Sequence, residues 1–214
     1  MLRWQPVPRL RGRLRAADLV VVINTADPYS VAVGEYYASR RAIPDKHVLR
    51  ITLPVKPVLN LLEFEPLRTR LAELGPEVQA LALAWREPYA VNCNSITAAL
   101  TMGYQAEMCQ NTCGLTRPSP YLNVTNEKPF DAAGMRLSML LAARTVESAQ
   151  KLIDRGIEAD NSAGYPRLLA RNAVYVDNDA DRVRNVRHVM FPPAGPSPRQ
   201  GLNVILAKPD DAPV

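Results

Sequence analysis

The sequence lacks the common signatures of membrane-spanning, nucleotide-binding and hydrolytic proteins. None of its apolar runs approaches the ~20 residues that cross a bilayer. It contains no G-x-G-x-x-G and no G-x-x-x-x-G-K-[ST] motif, the two glycine-rich turns that hold nucleotide phosphates. The G-x-S-x-G turn of serine hydrolases is also missing. These absences predict no membrane span and argue against a Rossmann dinucleotide site, a P-loop and an α/β-hydrolase.

Acidic residues are missing from the beginning of the chain. The net charge is +5, and five arginines but no acid precede Asp18. The other 21 basic residues balance all 21 acidic ones, so the excess positive charge belongs to residues 1–17. A nucleic-acid-binding protein usually spreads basic residues over a folded face, with aromatic residues among them. We therefore expect a solvated basic arm and no specific nucleic-acid partner, with weak contact to an anionic surface as the alternative.

The same N-terminal segment lacks the continuous apolar core of a secretory signal. The sequence as it stands therefore predicts a cytoplasmic location if the chain is complete.

Apolar runs alternate with amphipathic segments along most of the chain. Strands are predicted at 18–24, 47–53, 78–85 and 136–143, and helices at 28–41, 59–74 and 144–160. This alternation indicates an α/β fold, a Rossmann-like three-layer sandwich with a mostly parallel sheet. We predict one α/β domain over 18–214, interrupted after the third strand by a large insert at about 86–134 with a helix over 95–113.

The C-terminal part continues the pattern with a strand at 172–178, a helix at 179–191 and a last strand at 202–209. A strand this close to the C-terminus predicts a chain that is cut short.

The turn after the first strand carries three polar residues, Asn24, Asp27 and Ser30. Open α/β sheets bind ligands at the carboxyl ends of their strands, so these residues are candidate ligand-binding residues for a small anion. The pair Asp27–Pro28 has a second interpretation as the N-cap and first position of a helix. Because an aspartate repels anions, we favour the cap.

The insert begins with the densest polar cluster of the chain, in "NCNSIT". Asn92, Asn94 and Ser95 are candidate ligand-binding residues because they follow the third strand at the same edge of the sheet. The alternative is structural: Asn94 and Ser95 would cap a helix that begins near Ile96.

Cys93 in this cluster is a candidate nucleophile. A cysteine nucleophile needs a base and a stabilised thiolate. The sequence offers His47 and His188 as bases, and neither is close to Cys93 along the chain.

The other two cysteines allow a metal site or a disulfide. Cys109 and Cys113 would share one face of a helix, but a structural zinc site needs four ligands and no second pair exists. Alternatively, Cys93 bridges to Cys109 or Cys113 and fixes the insert in an oxidising compartment. We favour a structural role over catalysis and expect no metal and no cofactor.

Three segments together resemble a family of exported bacterial proteins of unknown function. They are "DLVVVINTADPYSVAVGEYYASRRAIP", "ALAWREPYAVNCNSITAAL" and "RLSMLLAARTVESAQKLIDRGIEAD". They carry an N-x-x-D-P-x-S turn, a YY-x-x-R-x-I-P helix end and an LID-x-G helix, within about 18–178. The resemblance implies an exported protein that is usually longer than this chain, and it supplies no catalytic residue.

A more distant similarity is to caspase-like and gingipain-like peptidase sheets. That architecture places a histidine after the third strand and a cysteine after the fourth. Here "REPYAVNCNSIT" follows the third strand and "ARTVESAQ" follows the fourth, so both expected positions lack the catalytic residue. The similarity therefore implies an inactive sheet or other catalytic residues.

These observations lead to three functional hypotheses. The first is a non-catalytic binding domain, or a truncated member of the exported family, that binds a protein or a small molecule through the insert. The second is a cysteine-peptidase-like hydrolase that uses Cys93. The third is small-anion binding at the Asn24–Ser30 turn.

Overall fold

The computed structural model describes residues 14–111, 118–122, 124, 128–161, 172–178, 180, 182, 185–197 and 202–208. Most of the basic arm and Cys113 lie outside these residues. The chain divides into two compact units, Met1–Ile153 and Asp154–Val214.

Strands and helices alternate through the described residues. The strands are β1 (Leu19–Asn24), β2 (Val48–Ile51), β3 (Val58–Leu59), β4 (Ala80–Leu83), β5 (Ala90–Val91), β6 (Asn94–Ser95), β7 (Leu137–Leu140), β8 (Asn172–Val176), β9 (Gly195–Ser197) and β10 (Leu202–Ala207). The helices are α1 (Pro28–Arg40), α2 (Leu61–Ala72), α3 (Ile96–Thr101), α4 (Glu107–Gln110), α5 (Pro129–Ala133) and α6 (Val146–Asn161). Short 3-10 segments cover Ala16–Asp18, Asp45–His47 and Asn185–Met190.

A four-stranded sheet forms the centre of the first unit. Its order is β2-β1-β4-β7, and every pairing is parallel. This confirms the predicted α/β fold. In a parallel sheet the carboxyl ends of all strands meet at one edge, and here the chain order reverses beside β1. That reversal is the topological switch point at which open α/β sheets bind ligands.

Helices cover both faces of this sheet because successive residues of a strand point to opposite faces. Val20 and Val22 of β1 belong to a buried cluster with Phe64 and Leu67 of α2. Helix α1 packs against the other face, where Ile23 contacts the backbone of the helix at Gly34. The predicted three-layer arrangement is therefore present in this unit.

Gly34 allows α1 to lie unusually close to the sheet. A Cβ atom at this position would be 2.5 Å from Cγ1 of Ile23 and 3.1 Å from Cβ of Ala84. Both neighbours are completely buried.

We predict that Gly34→Leu destabilises the protein by about 3 kcal/mol, because overpacking forces the helix away from the sheet. The free energy of unfolding from urea titration measures this effect. Ala32→Leu, on an exposed position of the same helix, is the matched control and is expected to change stability by less than about 0.5 kcal/mol. Equal effects of the two substitutions would contradict the close packing.

The insert differs from its prediction. The expected single helix over 95–113 is two short helices, α3 and α4, separated by Gly103, whose φ is +84°. The insert also contributes two strands to a small sheet of order β3-β5-β6 that the sequence did not predict. Each of these strands has two residues, which is too short for a period-two pattern to appear in the sequence.

The second unit has a sheet of its own, of order β8-β10-β9, in which β8 and β10 are parallel. In this sheet β10 pairs with both β8 and β9. The prediction of one α/β domain over 18–214 stays a prediction beside this division into two compact units.

The helix expected over 179–191 is, in its described part, a 3-10 segment over Asn185–Met190. The side chain of Asn185 explains the difference. It accepts a hydrogen bond from the backbone N–H of Asn178 at 3.1 Å and donates one to Asp177 at 2.6 Å. Such bonds offer the backbone an alternative to an α-helix. Together with Lys208, Asn185 holds the pKa of the Asp177 carboxyl below its usual value.

Candidate functional site

The carboxyl edge of the central sheet holds the first group of predicted site residues. Asn24 is the last residue of β1, and Asp27 and Ser30 lie at the start of α1. The structure brings all three together and buries them.

The side chain of Asn24 joins the ends of two neighbouring strands. Its Oδ1 accepts hydrogen bonds from the backbone N–H groups of Leu53 at 2.9 Å and Ala26 at 3.2 Å. Its Nδ2 donates to the Leu53 carbonyl at 3.1 Å. The side-chain amide of Asn24 therefore pairs with both backbone polar groups of Leu53 just after β2 ends, as the backbone of a neighbouring strand would. This is a structural role.

Asp27 and Ser30 also bond within the turn. Oδ1 of Asp27 accepts from the backbone N–H of Tyr29 at 3.0 Å, which confirms the predicted N-cap. The Ser30 hydroxyl accepts from the backbone N–H of Asn24 at 2.8 Å. The polar groups that the anion hypothesis assigned to a ligand are therefore hydrogen-bonded within the protein. The turn also contributes a buried carboxylate, which repels an anion, and not a cation that would attract one.

Tyr29 and Arg86 lie at the same edge, and sequence reasoning missed both. The Tyr29 hydroxyl donates to the Leu141 carbonyl at 3.0 Å and accepts from the Ala143 N–H at 2.8 Å. The guanidinium of Arg86 lies 4.6 Å from the centre of the Tyr29 ring and donates to the Arg144 carbonyl at 3.1 Å. These side chains connect α1 and β4 to the segment after β7.

Burial raises the pKa of the Tyr29 hydroxyl, against smaller opposing effects of the Ala143 N–H and the Arg86 charge. Tyr29 is therefore protonated at neutral pH and serves as a hydrogen-bond donor rather than as a base. No sequence signal distinguished this tyrosine from Tyr36 and Tyr37 of the same helix.

A second group of predicted site residues forms a hairpin in the insert. Asn92 and Cys93 are the two-residue turn between β5 and β6, and Asn92 has a φ of +48°. A disulfide joins Cys93 to Cys109, whose Cα atoms are 5.2 Å apart. Of the two disulfides that the sequence allowed for Cys93, this is the one with Cys109. It fixes α4 to the hairpin.

Hydrogen-bond donors surround both sulfur atoms of this disulfide. The Asn94 amide donates to Sγ of Cys93 at 3.3 Å. The Tyr104 hydroxyl lies 3.3 Å from Sγ of Cys109 and accepts a hydrogen bond from the Asn92 amide at 3.1 Å. Because the hydroxyl oxygen of Tyr104 already accepts from Asn92, its proton is available to the Cys109 sulfur.

Asn94 and Ser95 have structural roles in the same hairpin. The buried amide of Asn94 accepts from the backbone N–H of Gln105 at 3.1 Å and donates to its carbonyl at 3.0 Å. Ser95 is the N-cap of α3 and accepts from the Ala98 N–H at 3.2 Å, as the capping interpretation predicted.

The two candidate histidines have different surroundings. His47 lies before the amino end of β2, and its buried ring nitrogens have no hydrogen-bond partner among the described residues. His188 belongs to the second unit, where its Nδ1 lies 2.8 Å from the Asn185 carbonyl oxygen. The Cys93 sulfur is bonded to Cys109. A free thiolate at Cys93 therefore requires reduction of this disulfide, and the assignment of His47 or His188 as its base stays a prediction.

A cavity of about 500 Å³ lies in the insert, beside the disulfide-linked segment. It is formed by the end of α3 and the segment that follows it, by residues 118–120 and by the end of α5. Its lining residues are all uncharged: Leu100, Thr101, Met102, Gly103, Gln105, Pro118, Pro120, Ala133, Gly134 and Met135. No local sequence pattern predicts this cavity, because its walls come from three separate segments of the chain, 100–105, 118–120 and 133–135.

Two further properties concern only the part of the chain that the structure describes. Within it, no three histidine, cysteine or acidic residues are grouped so that they could hold a metal ion. Within the same residues, no helix has the length and apolar character needed to span a membrane. The metal hypothesis for Cys109 and Cys113 is not tested, since Cys113 lies outside the described residues.

We compared the chain with models of protein families, with curated proteins and with solved structures, and found no match in any of the three.

Proposed function

We propose that this protein is a non-catalytic binding domain that holds a small uncharged molecule in the cavity of its insert. The observation that carries this proposal is the cavity itself, whose described walls contain no ionisable side chain. Ligand cavities of proteins are concave sites of 300–1,000 Å³ with a few convergent polar groups, and the volume of this one falls within that range.

The chemistry of the walls supports an uncharged ligand. Leu100, Met102 and Met135 provide apolar surface, and Gln105 provides an amide with two donors and an acceptor. Transfer of an ion into such a site without a partner of opposite charge costs several kcal/mol. A neutral molecule with one hydrogen-bonding group therefore fits these walls better than an acid or an amine.

The surrounding structure supports a preformed site. The side-chain amide of the buried Asn94 forms two hydrogen bonds with the backbone of Gln105 and so holds this wall of the cavity. The Cys93–Cys109 disulfide holds α4. A preformed cavity loses little conformational entropy when it binds its ligand.

The test uses benzamide as an uncharged probe, with benzoate and benzamidine as negative and positive probes of nearly the same shape. We expect ligand-detected NMR to give a saturation-transfer signal for benzamide and much weaker signals for the two ions. Ala133→Trp fills the cavity and is expected to abolish the benzamide signal. Ala32→Trp, on an exposed position of α1, is the matched control and should leave the signal unchanged.

A benzamide signal that survives in the Ala133→Trp variant would contradict binding in this cavity. Equal binding of benzoate or benzamidine would contradict selection of an uncharged ligand. Thermal unfolding of each variant, measured in parallel, identifies any loss of binding that is caused by loss of the fold.

A further inference from the structure

The Cys93–Cys109 disulfide is exposed to solvent, unlike a disulfide inside a core. Both cysteines are exposed residues of the insert. Exposed disulfides are generally more easily reduced than buried structural ones, because thiol–disulfide exchange requires access of the attacking thiolate.

The hydrogen-bond donors at the two sulfur atoms favour the reduced form. The Asn94 amide donates to Sγ of Cys93, and the Tyr104 hydroxyl is placed 3.3 Å from Sγ of Cys109. A disulfide sulfur is a weak acceptor and gains little from such donors. A thiolate is a full anion, and hydrogen bonds to the charged form stabilise that form. The same contacts therefore contribute more to the stability of the reduced pair than to that of the disulfide.

We infer that Cys93 and Cys109 are a reversible thiol–disulfide exchange site that reacts with low-molecular-weight thiols. In the first step a thiolate RS⁻ attacks one protein sulfur, forms a mixed disulfide and releases the other sulfur as a thiolate. In the second step another RS⁻ attacks the sulfur of the bound thiol, releases the second protein thiolate and forms RSSR. Two thiols supply the two electrons and the two protons, and the protein ends with two thiols.

This exchange goes beyond ligand binding and does not depend on it. Its structural consequence follows from the position of the bond, which joins α4 to the turn between β5 and β6. Reduction removes that covalent link and leaves the Asn94–Gln105 and Asn92–Tyr104 hydrogen bonds between this wall and the hairpin.

The test is an equilibrium titration with reduced and oxidised glutathione at pH 7. Cys113 is replaced by serine in every protein so that it cannot exchange with the pair. Free thiols are trapped by alkylation and counted at Cys93 and Cys109 by mass spectrometry. We expect millimolar reduced glutathione to open the disulfide while the protein stays folded, as monitored by near-ultraviolet circular dichroism.

Tyr104→Phe tests the contribution of the hydroxyl. We expect the equilibrium constant for reduction to fall roughly fivefold, the typical net effect of losing one hydrogen bond. Tyr89→Phe removes a hydroxyl from an exposed tyrosine of the same insert and is the matched control, with no expected change. A disulfide that resists millimolar glutathione in the folded protein would overturn the inference, and so would equal constants for wild type and Tyr104→Phe.

Discussion

Replacing Asn24 by alanine is expected to destabilise the protein by about 3 kcal/mol. The side chain is completely buried and satisfies both the N–H and the carbonyl of Leu53, the point where the chain leaves β2. Alanine leaves these two backbone groups without their partner, and each unsatisfied buried group costs about 1–3 kcal/mol. Urea unfolding measures the loss of stability.

Two variants make this prediction specific. Asn24→Asp keeps an acceptor for the Leu53 N–H but places a second carboxyl oxygen against the Leu53 carbonyl. We expect a loss at least as large as that of alanine when this buried carboxyl is ionised, and a smaller loss at acidic pH, where the protonated carboxyl can donate. Thr25→Ala alters the exposed neighbour and is expected to cost less than about 1 kcal/mol. Unchanged stability of Asn24→Ala would mean that the residue is free for a ligand, and the anion hypothesis for this turn would regain its basis.

Replacing Trp85 by alanine is expected to cost about 4 kcal/mol. The indole is completely buried after the end of β4, within the cluster that includes Val91 and Ile96 of the insert. Its Nε1–H donates to the Pro88 carbonyl at 2.9 Å. Removal of a buried aromatic ring loses its transfer free energy and leaves a cavity, and such changes cost about 3–5 kcal/mol.

Trp85→Phe separates packing from hydrogen bonding. Phenylalanine keeps most of the apolar surface but leaves the Pro88 carbonyl without its donor, so we expect about half of the alanine effect. Measurement of benzamide binding with these variants adds a functional readout, because Trp85 joins the insert to the sheet. If Trp85→Ala unfolds with wild-type free energy, the insert does not share the core of the sheet in solution.

The local sequence predicted the central strands and helices closely because their signals are local. The run "LVVVI" defines β1, and Asp27–Pro28 defines the beginning of α1. A helix cap and a buried strand need only the residues within a few positions of themselves. The roles of Asp27 and Ser95 could therefore be derived before the fold was known.

The candidate site could not be derived in this way, since its contacts join distant parts of the chain. Cys93 had two possible disulfide partners, and only the three-dimensional position of α4 selected Cys109. The hydroxyl of Tyr29 meets the backbone of Leu141, which is 112 positions away. No local pattern encodes a contact at that separation.

The sequence by itself determined the α/β class, the caps of α1 and α3 and the absence of glycine-rich phosphate-binding turns, because backbone propensities and hydrophobic periodicity act over short segments. The tertiary structure decided the strand order, the role of Asn24 as a bridge between strand ends, the disulfide partner and the uncharged cavity of the insert. These features depend on which distant segments are brought side by side. Which segments come together is decided by two requirements that act over the whole chain. The apolar surface must be buried, and each buried polar group must find a hydrogen-bond partner.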